Sequence, residues 1–226
     1  MERIAIYDMD KTITRRPTFL PFAWHVLRKH AKRRSVVVPL MLAAGLGYAL
    51  KIISRTKIKE VNTKLVLGRA NPQERLALIG HSFAGHNAKA NLLEPALVQI
   101  AADREQGYRI VLATASYRFY VEPIAKLLGI DDVIATDLVG ADSDKVKSRI
   151  LGENCYGPGK LRMVEAWFSR HGIARDSAHI RFYSDHVSDR YCLEWADEAY
   201  AVNPHPPLRR MAKARGWAVL DWLAKA

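Results

Sequence analysis

Only two cysteines occur, Cys155 and Cys192, and they lack zinc-site spacing, which excludes a disulfide framework and a cysteine metal cage. That scarcity fits a reducing, cytoplasmic setting. Residues Met1 to Ile4 run straight into a β-type segment without a basic leader or a signal-type apolar stretch, so retention inside the cell is expected. The chain has no internal repeat, low-complexity tract or linker-like segment, which excludes a disordered or solenoid architecture. Long apolar runs are also missing. The uncharged stretch Ser35 to Leu50 has sixteen residues and contains Pro39, Gly45 and Gly47, short of the roughly 20 that a membrane-spanning helix needs. The most telling absence is of acid: from Lys11 to Lys59 there are twelve Lys or Arg and no Asp or Glu. Since the whole chain carries +12, the remainder is balanced and the basic character is local.

What is present suits an enzyme. At 226 residues, 49% hydrophobic and 26% charged, the chain can bury one sizeable core and a smaller second one. The β-type run Arg3 to Tyr7 is followed at once by Asp8-Met9-Asp10-Lys11-Thr12. Carboxylates two residues apart point to opposite faces of a regular strand, so if they act together the chain must leave the strand at Asp8 and curl. A polar turn with Asp10 and Thr12 capping a helix is the other reading of this pentapeptide. Downstream, the run Tyr108 to Ala113 ends in Thr114-Ala115-Ser116, Lys160 follows Gly157-Pro158-Gly159, and Ile180 to Tyr183 leads into Ser184-Asp185-His186-Val187-Ser188-Asp189. Each group sits where a strand or glycine turn gives way to a helix, the place where open α/β sheets keep their chemistry.

In these four segments and their order the chain resembles the haloacid dehalogenase superfamily, specifically its phosphatases with a helical cap inserted after the first motif, the phosphoserine phosphatase-like branch. The resemblance implies an α/β, Rossmann-like core with a mainly parallel sheet and helices on both faces, plus an inserted all-α cap domain. The core is expected at 1–13 and 94–226 and the cap at 14–93, where helical spacing replaces strand alternation. It implies a Mg²⁺-dependent phosphomonoester hydrolase in which Asp8 attacks phosphorus to form an aspartyl phosphate, and Asp10 protonates the leaving oxygen and then activates water. Mg²⁺ would be held by Asp8, Asp185 and the backbone carbonyl of Asp10, with Asp189 a further ligand or a support. Thr12, Thr114, Ser116 and Lys160 are the expected phosphate contacts, Thr114 being preferred to Ser116 as the hydroxyl after the second strand. An acid at position 10 points to phosphatase chemistry over ATPase or dehalogenase chemistry.

Secondary structure follows the motifs. Strands are expected near 108–113, 133–137, 180–184 and 198–202, helices at 117–128, 160–171 and 208–225, and a β-hairpin at 138–153.

Relatives specific for phosphoserine carry a glutamate soon after the first motif to meet the substrate ammonium; here the chain reads Thr14-Arg15-Arg16-Pro17-Thr18. Glu60, Glu74 or Glu94 could still fold back to replace it, and Arg15 and Arg16 suit an anionic substrate. The run 35–50, flanked by Arg28, Lys29, Lys32, Arg33 and Arg34 and by Lys51, Arg55, Lys57 and Lys59, resembles the cap of bacterial phosphatidylglycerophosphate phosphatases. It predicts peripheral contact with an anionic membrane through 28–59, at the inner face of the cytoplasmic membrane, with Phe19, Phe22, Trp24 and Tyr48 at headgroup level. Burial within the cap or in a dimer interface is the other reading. The substrate expected is thus a lipid phosphate such as phosphatidylglycerophosphate, the alternative a soluble metabolite such as phosphoserine. A basic module binding nucleic acid or acidic lipid without catalysis fits the intact motifs least, and no nucleic-acid partner is expected.

Overall fold

Glu2–Tyr7 forms strand β1, and its last four residues are buried, as expected of a strand covered on both faces. The structure, a computed structural model, describes residues 1–223. Four helices follow β1: α1 (Phe19–Lys29), α2 (Val38–Ala49), α3 (Arg55–Leu67) and α4 (Gln73–Asn91), with a short strand β2 (Ala70–Pro72) between the last two. Helix α5 (Glu94–Glu105) leads into β3 (Arg109–Tyr117), α6 (Arg118–Leu127) and β4 (Asp132–Leu138). The chain then runs through β5 (Lys145–Lys147), β6 (Ile150–Leu151), α7 (Pro158–Arg170), β7 (Ala178–Ser184), α8 (Arg190–Trp195), β8 (Glu198–Val202), α9 (Pro206–Arg215) and β9 (Ala218–Leu220).

The main sheet has seven strands in the order β6-β4-β3-β1-β7-β8-β9, and every pairing except β4 with β6 is parallel. Central β1 is flanked by β3 on one side and β7 on the other, which makes its carboxyl end the topological switch point of the sheet. Alternation divides the core: Ala5 and Tyr7 pack into one apolar layer, Ile4 and Ile6 into the other. Tyr7, Tyr183 and Tyr200 share one register across β1, β7 and β8, and their rings stack at 4.2 and 4.5 Å. The Tyr7 hydroxyl donates to the buried Asp103 at 2.6 Å, and Arg181 pairs with the same carboxylate at 2.7 Å. This ties α5 to the sheet and stiffens the strand that ends at Asp8.

The α/β class and the expected strands are present, with four differences. The segment 138–153 is not a self-paired hairpin: β5 pairs antiparallel with β2, and β6 with the end of β4. Residues 14–93, expected to be all helical, also hold β2, whose partner lies outside that range. The expected helix 208–225 stops at Arg215, where Gly216 takes a left-handed backbone (φ 69°), and the chain returns as β9 beside β8; positions 224–225 lie outside the described residues. Strand β3 continues past Ala113 to Tyr117, with a register irregularity between Thr114 and Tyr117. Thr14 and Leu92 bridge antiparallel, so the chain enters and leaves 14–93 side by side.

Candidate active site

The chain leaves β1 at Asp8 and curls. The Met9 carbonyl accepts backbone N–H groups from Thr12, Ile13 and Thr14 at 3.3, 3.0 and 2.9 Å, and Lys11 adopts a left-handed conformation (φ 62°). No helix starts there, so helix capping by Asp10 and Thr12 does not occur. Asp10 instead accepts from the Thr18 backbone N–H at 2.9 Å and the Thr18 hydroxyl at 2.8 Å, with the Ser116 hydroxyl 3.5 Å from its other oxygen. Thr18 and Ser116 meet at 3.0 Å. Thr12 is buried, and its hydroxyl has no hydrogen-bond partner among the described residues.

Lys160 arrives from the first turn of α7. Gly157 has a positive φ of 58°, Pro158 starts the helix, and a Cβ on Gly159 would lie 2.9 Å from the Asn154 carbonyl, so small residues let this turn close against the loop before it. The Lys160 ammonium is buried, 2.7 Å from Asp8 Oδ1 and 2.5 Å from Asp189 Oδ2. Ser184, the last residue of β7, donates to Asp189 Oδ2 at 2.8 Å. Burial opposes the charge on Lys160, but Asp189 and Asp8 hold it well above the usual lysine range.

Asp185 has no side-chain hydrogen-bond partner among the described residues and is nearly buried. Burial pushes its carboxyl up, and the charge of Asp8 adds to that. Asp8 is likewise pushed up by burial, which Lys160 only partly offsets. Asp10 is raised by burial despite its bonds to Thr18. Lys160 bonds Asp8 and Asp189 but not Asp185, which only the charges of Lys11 and Lys160 offset from a distance, so burial still dominates at the Asp8–Asp185 pair.

Among the described residues no three His, Cys, Asp or Glu side chains converge as a ready metal cage. Of the four residues expected at a metal, Asp185 has a carboxylate with no side-chain partner among the described residues; Asp8 and Asp189 share Lys160, Asp189 also accepts from Ser184, and the Asp10 side chain is bonded to Thr18. Two carboxylates, a backbone carbonyl and water still form a donor set that Mg²⁺ accepts.

Of the two candidate hydroxyls, Ser116 meets Asp10, while Thr114 Oγ1 accepts the Ser116 N–H at 3.1 Å within the irregular end of β3. Arg15 and Arg16 are exposed: the Arg15 guanidinium donates to the Leu92 carbonyl at 3.3 Å, and Asn91 holds the Arg16 backbone. The Arg16 carbonyl accepts the Thr14 hydroxyl at 2.9 Å, but among the described residues neither guanidinium makes a polar contact with the residues around Asp8. Glu60 accepts from the Ile150 N–H at 2.9 Å, and Glu74 and Glu94 are exposed in the first turns of α4 and α5. His186 bonds Ser188 and stacks on His205 at 4.2 Å. Phe22 is fully buried against Phe83 and Tyr120, which removes it from any surface contact.

Sequence reasoning did not single out Thr18 or Ser184. Thr18 and Ser184 act through partners distant in sequence or on a neighbouring turn, for which no local pattern exists.

Residues 5–194 match the model of the haloacid dehalogenase-like hydrolase family. The chain belongs to this family. The hydrolase is 29% identical over 228 residues to a protein of Mycobacterium tuberculosis named "Probable phosphatase", covering 96% of this chain and 75% of that one. A crystal structure of a Bordetella pertussis protein of unknown function superposes with a TM-score of 0.83 at 27% identity, covering 98% and 99% of the two chains. Apo phosphoserine phosphatase shares the fold, with a TM-score of 0.64 at 15% identity over 97% and 94% of the chains. The reading as a haloacid dehalogenase enzyme of the phosphatase branch is borne out.

Proposed function

We propose that this hydrolase is a Mg²⁺-dependent phosphomonoesterase working through Asp8, and that its substrate is a lipid phosphate, such as phosphatidylglycerophosphate, taken from an anionic bilayer. The observation that carries the catalytic reading is Lys160 joined to both Asp8 and Asp189 while Asp10 is held apart by Thr18 and Ser116. Two neighbouring carboxylates thereby have different surroundings and different tasks. Asp8, beside a fixed cation, attacks phosphorus as the bond to the leaving oxygen breaks. Asp10, raised by burial, gives that oxygen its proton and later takes one from the water that releases phosphate from Asp8. Lys160 screens the charge that builds on the phosphoryl oxygens. Mg²⁺, held by Asp8, Asp185 and the Asp10 carbonyl, would add positive charge at the same oxygens. Segment 14–93 is proposed as the cap over this crevice.

The lipid reading rests on α2. None of its residues is buried, and Leu42 and Leu46 are 71% and 61% exposed. Cations flank this apolar helix on both sides, with Val36, Leu50 and Ile52 also exposed beside it. An apolar helix between cationic ends matches the interface of an anionic bilayer, where each basic residue adds about 1 kcal/mol. Among the described residues no helix is long and apolar enough to cross a membrane, so contact would be peripheral. The test is phosphate release with Mg²⁺ from phosphatidylglycerophosphate, lysophosphatidate and phosphoserine, with and without anionic vesicles. Preference for the lipids, lost with vesicle binding in Leu42→Glu/Leu46→Glu, is the expected result. Preference for phosphoserine refutes the lipid reading, and a dimer that this variant splits, with vesicle binding unchanged, reassigns α2 to a second copy.

A further inference from the structure

Lys59 is a cation without an anion. From α3 its ammonium donates to the Ala115 carbonyl and, at 2.8 Å, to Asn154 Oδ1, and it lies 4.2 Å from the Tyr117 ring centroid. All three partners are neutral, and no carboxylate among the described residues pairs with it. Its backbone is fixed by the Thr63 hydroxyl, which donates to the Lys59 carbonyl at 2.7 Å and meets the Tyr117 hydroxyl at 3.0 Å.

Its position gives the missing anion a meaning. Ala115 stands between Thr114 and Ser116, so the ammonium lies at the edge of the crevice containing Asp10, whose charge reaches it. One turn earlier on the same helix face, Arg55 lies over Tyr156 at 3.9 Å. An ammonium has three N–H donors, of which two are engaged here. Lys160, by contrast, is already matched by two carboxylates. Burial pushes the Lys59 ammonium down to about 7, with Arg55 adding repulsion and Asp10 a weaker attraction; an oxyanion beside it would restore its charge.

We infer that Lys59 receives a second anionic group of the substrate, a phosphodiester or carboxylate carried close to the scissile phosphomonoester. The inference rests on the phosphomonoesterase reading and narrows it: substrates with one anionic group are poor, and those with two are selected.

The measurement is a selectivity ratio. Phosphate release is followed for phosphatidylglycerophosphate in mixed micelles and for phosphoserine, each against p-nitrophenyl phosphate, which has no second anion. In Lys59→Met the ratio of kcat/KM for a two-anion substrate to that for p-nitrophenyl phosphate is expected to fall about tenfold to a hundredfold, mainly through KM, and to return largely in Lys59→Arg. A fall confined to the phospholipid arm assigns the anion to a phosphodiester, and one confined to the phosphoserine arm to a carboxylate. An unchanged ratio in both arms overturns the inference, even if both activities drop together. The ratio is insensitive to partial unfolding, and circular dichroism checks the fold separately. If wild type hydrolyses none of the substrates, or Asp8→Asn hydrolyses them normally, the phosphomonoesterase reading fails instead.

Discussion

Lys160 Nζ lies 2.7 Å from Asp8 Oδ1, a contact between residues 152 apart in sequence and almost wholly shielded from water. It joins the C-terminal end of the central strand to the first turn of α7. The two bring together what a carboxylate nucleophile needs, a fixed position and a cation to receive the charge of the phosphoryl group.

Replacing Asp8 with Asn keeps the shape of the side chain and removes its nucleophilicity. Phosphate release is expected to fall at least about a thousandfold, with the circular dichroism spectrum unchanged. Asp10→Asn is expected to fall comparably, since both the donation to the leaving group and the activation of water are lost. Normal turnover by Asp8→Asn would rule out the proposed mechanism.

Lys160→Met leaves Asp8 and Asp189 buried without their counter-charge. A broken buried pair typically costs about 3–5 kcal/mol, so urea unfolding at neutral pH should show a loss of that order. A loss under about 1 kcal/mol would mean that the carboxylates take up protons at little cost and that Lys160 is not their principal support.

The donor set around Asp8 and Asp185 predicts that Mg²⁺ raises the thermal midpoint of the wild type through binding to the folded state. Asp185→Asn is expected to lose most of that rise and to be more stable than wild type without the metal, because one of two repelling carboxylates is gone. Equal Mg²⁺ stabilisation in both proteins would place the metal elsewhere.

His25, on α1, bonds the Ser82 hydroxyl of α4 at 2.9 Å and lies near His30 and His86. Burial, with added repulsion from Lys29, His30 and His86, holds its imidazole down at about 4, below the ordinary 6.5. The unfolded chain therefore binds the proton more tightly: stability is full above pH 6.5 and is lost as the pH falls through about 4. His25→Gln keeps a polar partner for Ser82 but does not titrate. Its urea midpoint should decline less than that of wild type between about pH 7 and about pH 4.5, and an equal decline would discount His25.

The chain by itself determined the parts of the site that are local in sequence. Asp8, Asp10, Lys160 and Asp185 each lie at the end of a strand or in a glycine turn, where apolar patterning and turn chemistry mark the position without knowledge of the partner. The same local physics exposed the acid-free stretch and the apolar run that became α2. Tertiary structure decided the rest. That Asp189 supports Lys160, that Asp10 is held by Thr18, that Ser116 meets Asp10 and that Lys59 reaches the Ala115 carbonyl and Asn154 follow from contacts between distant segments, which no periodicity records. Strand β5 was legible as extended chain, but its partner β2 lies across the fold, and pairing is chosen by which unpaired edge packing brings near. The final helix likewise ended early because Gly216 offered a left-handed turn and β8 offered a free edge for β9. Residue type and spacing set which groups reach the carboxyl end of the sheet, and the packing of α1, α3 and α7 around it sets which of them touch.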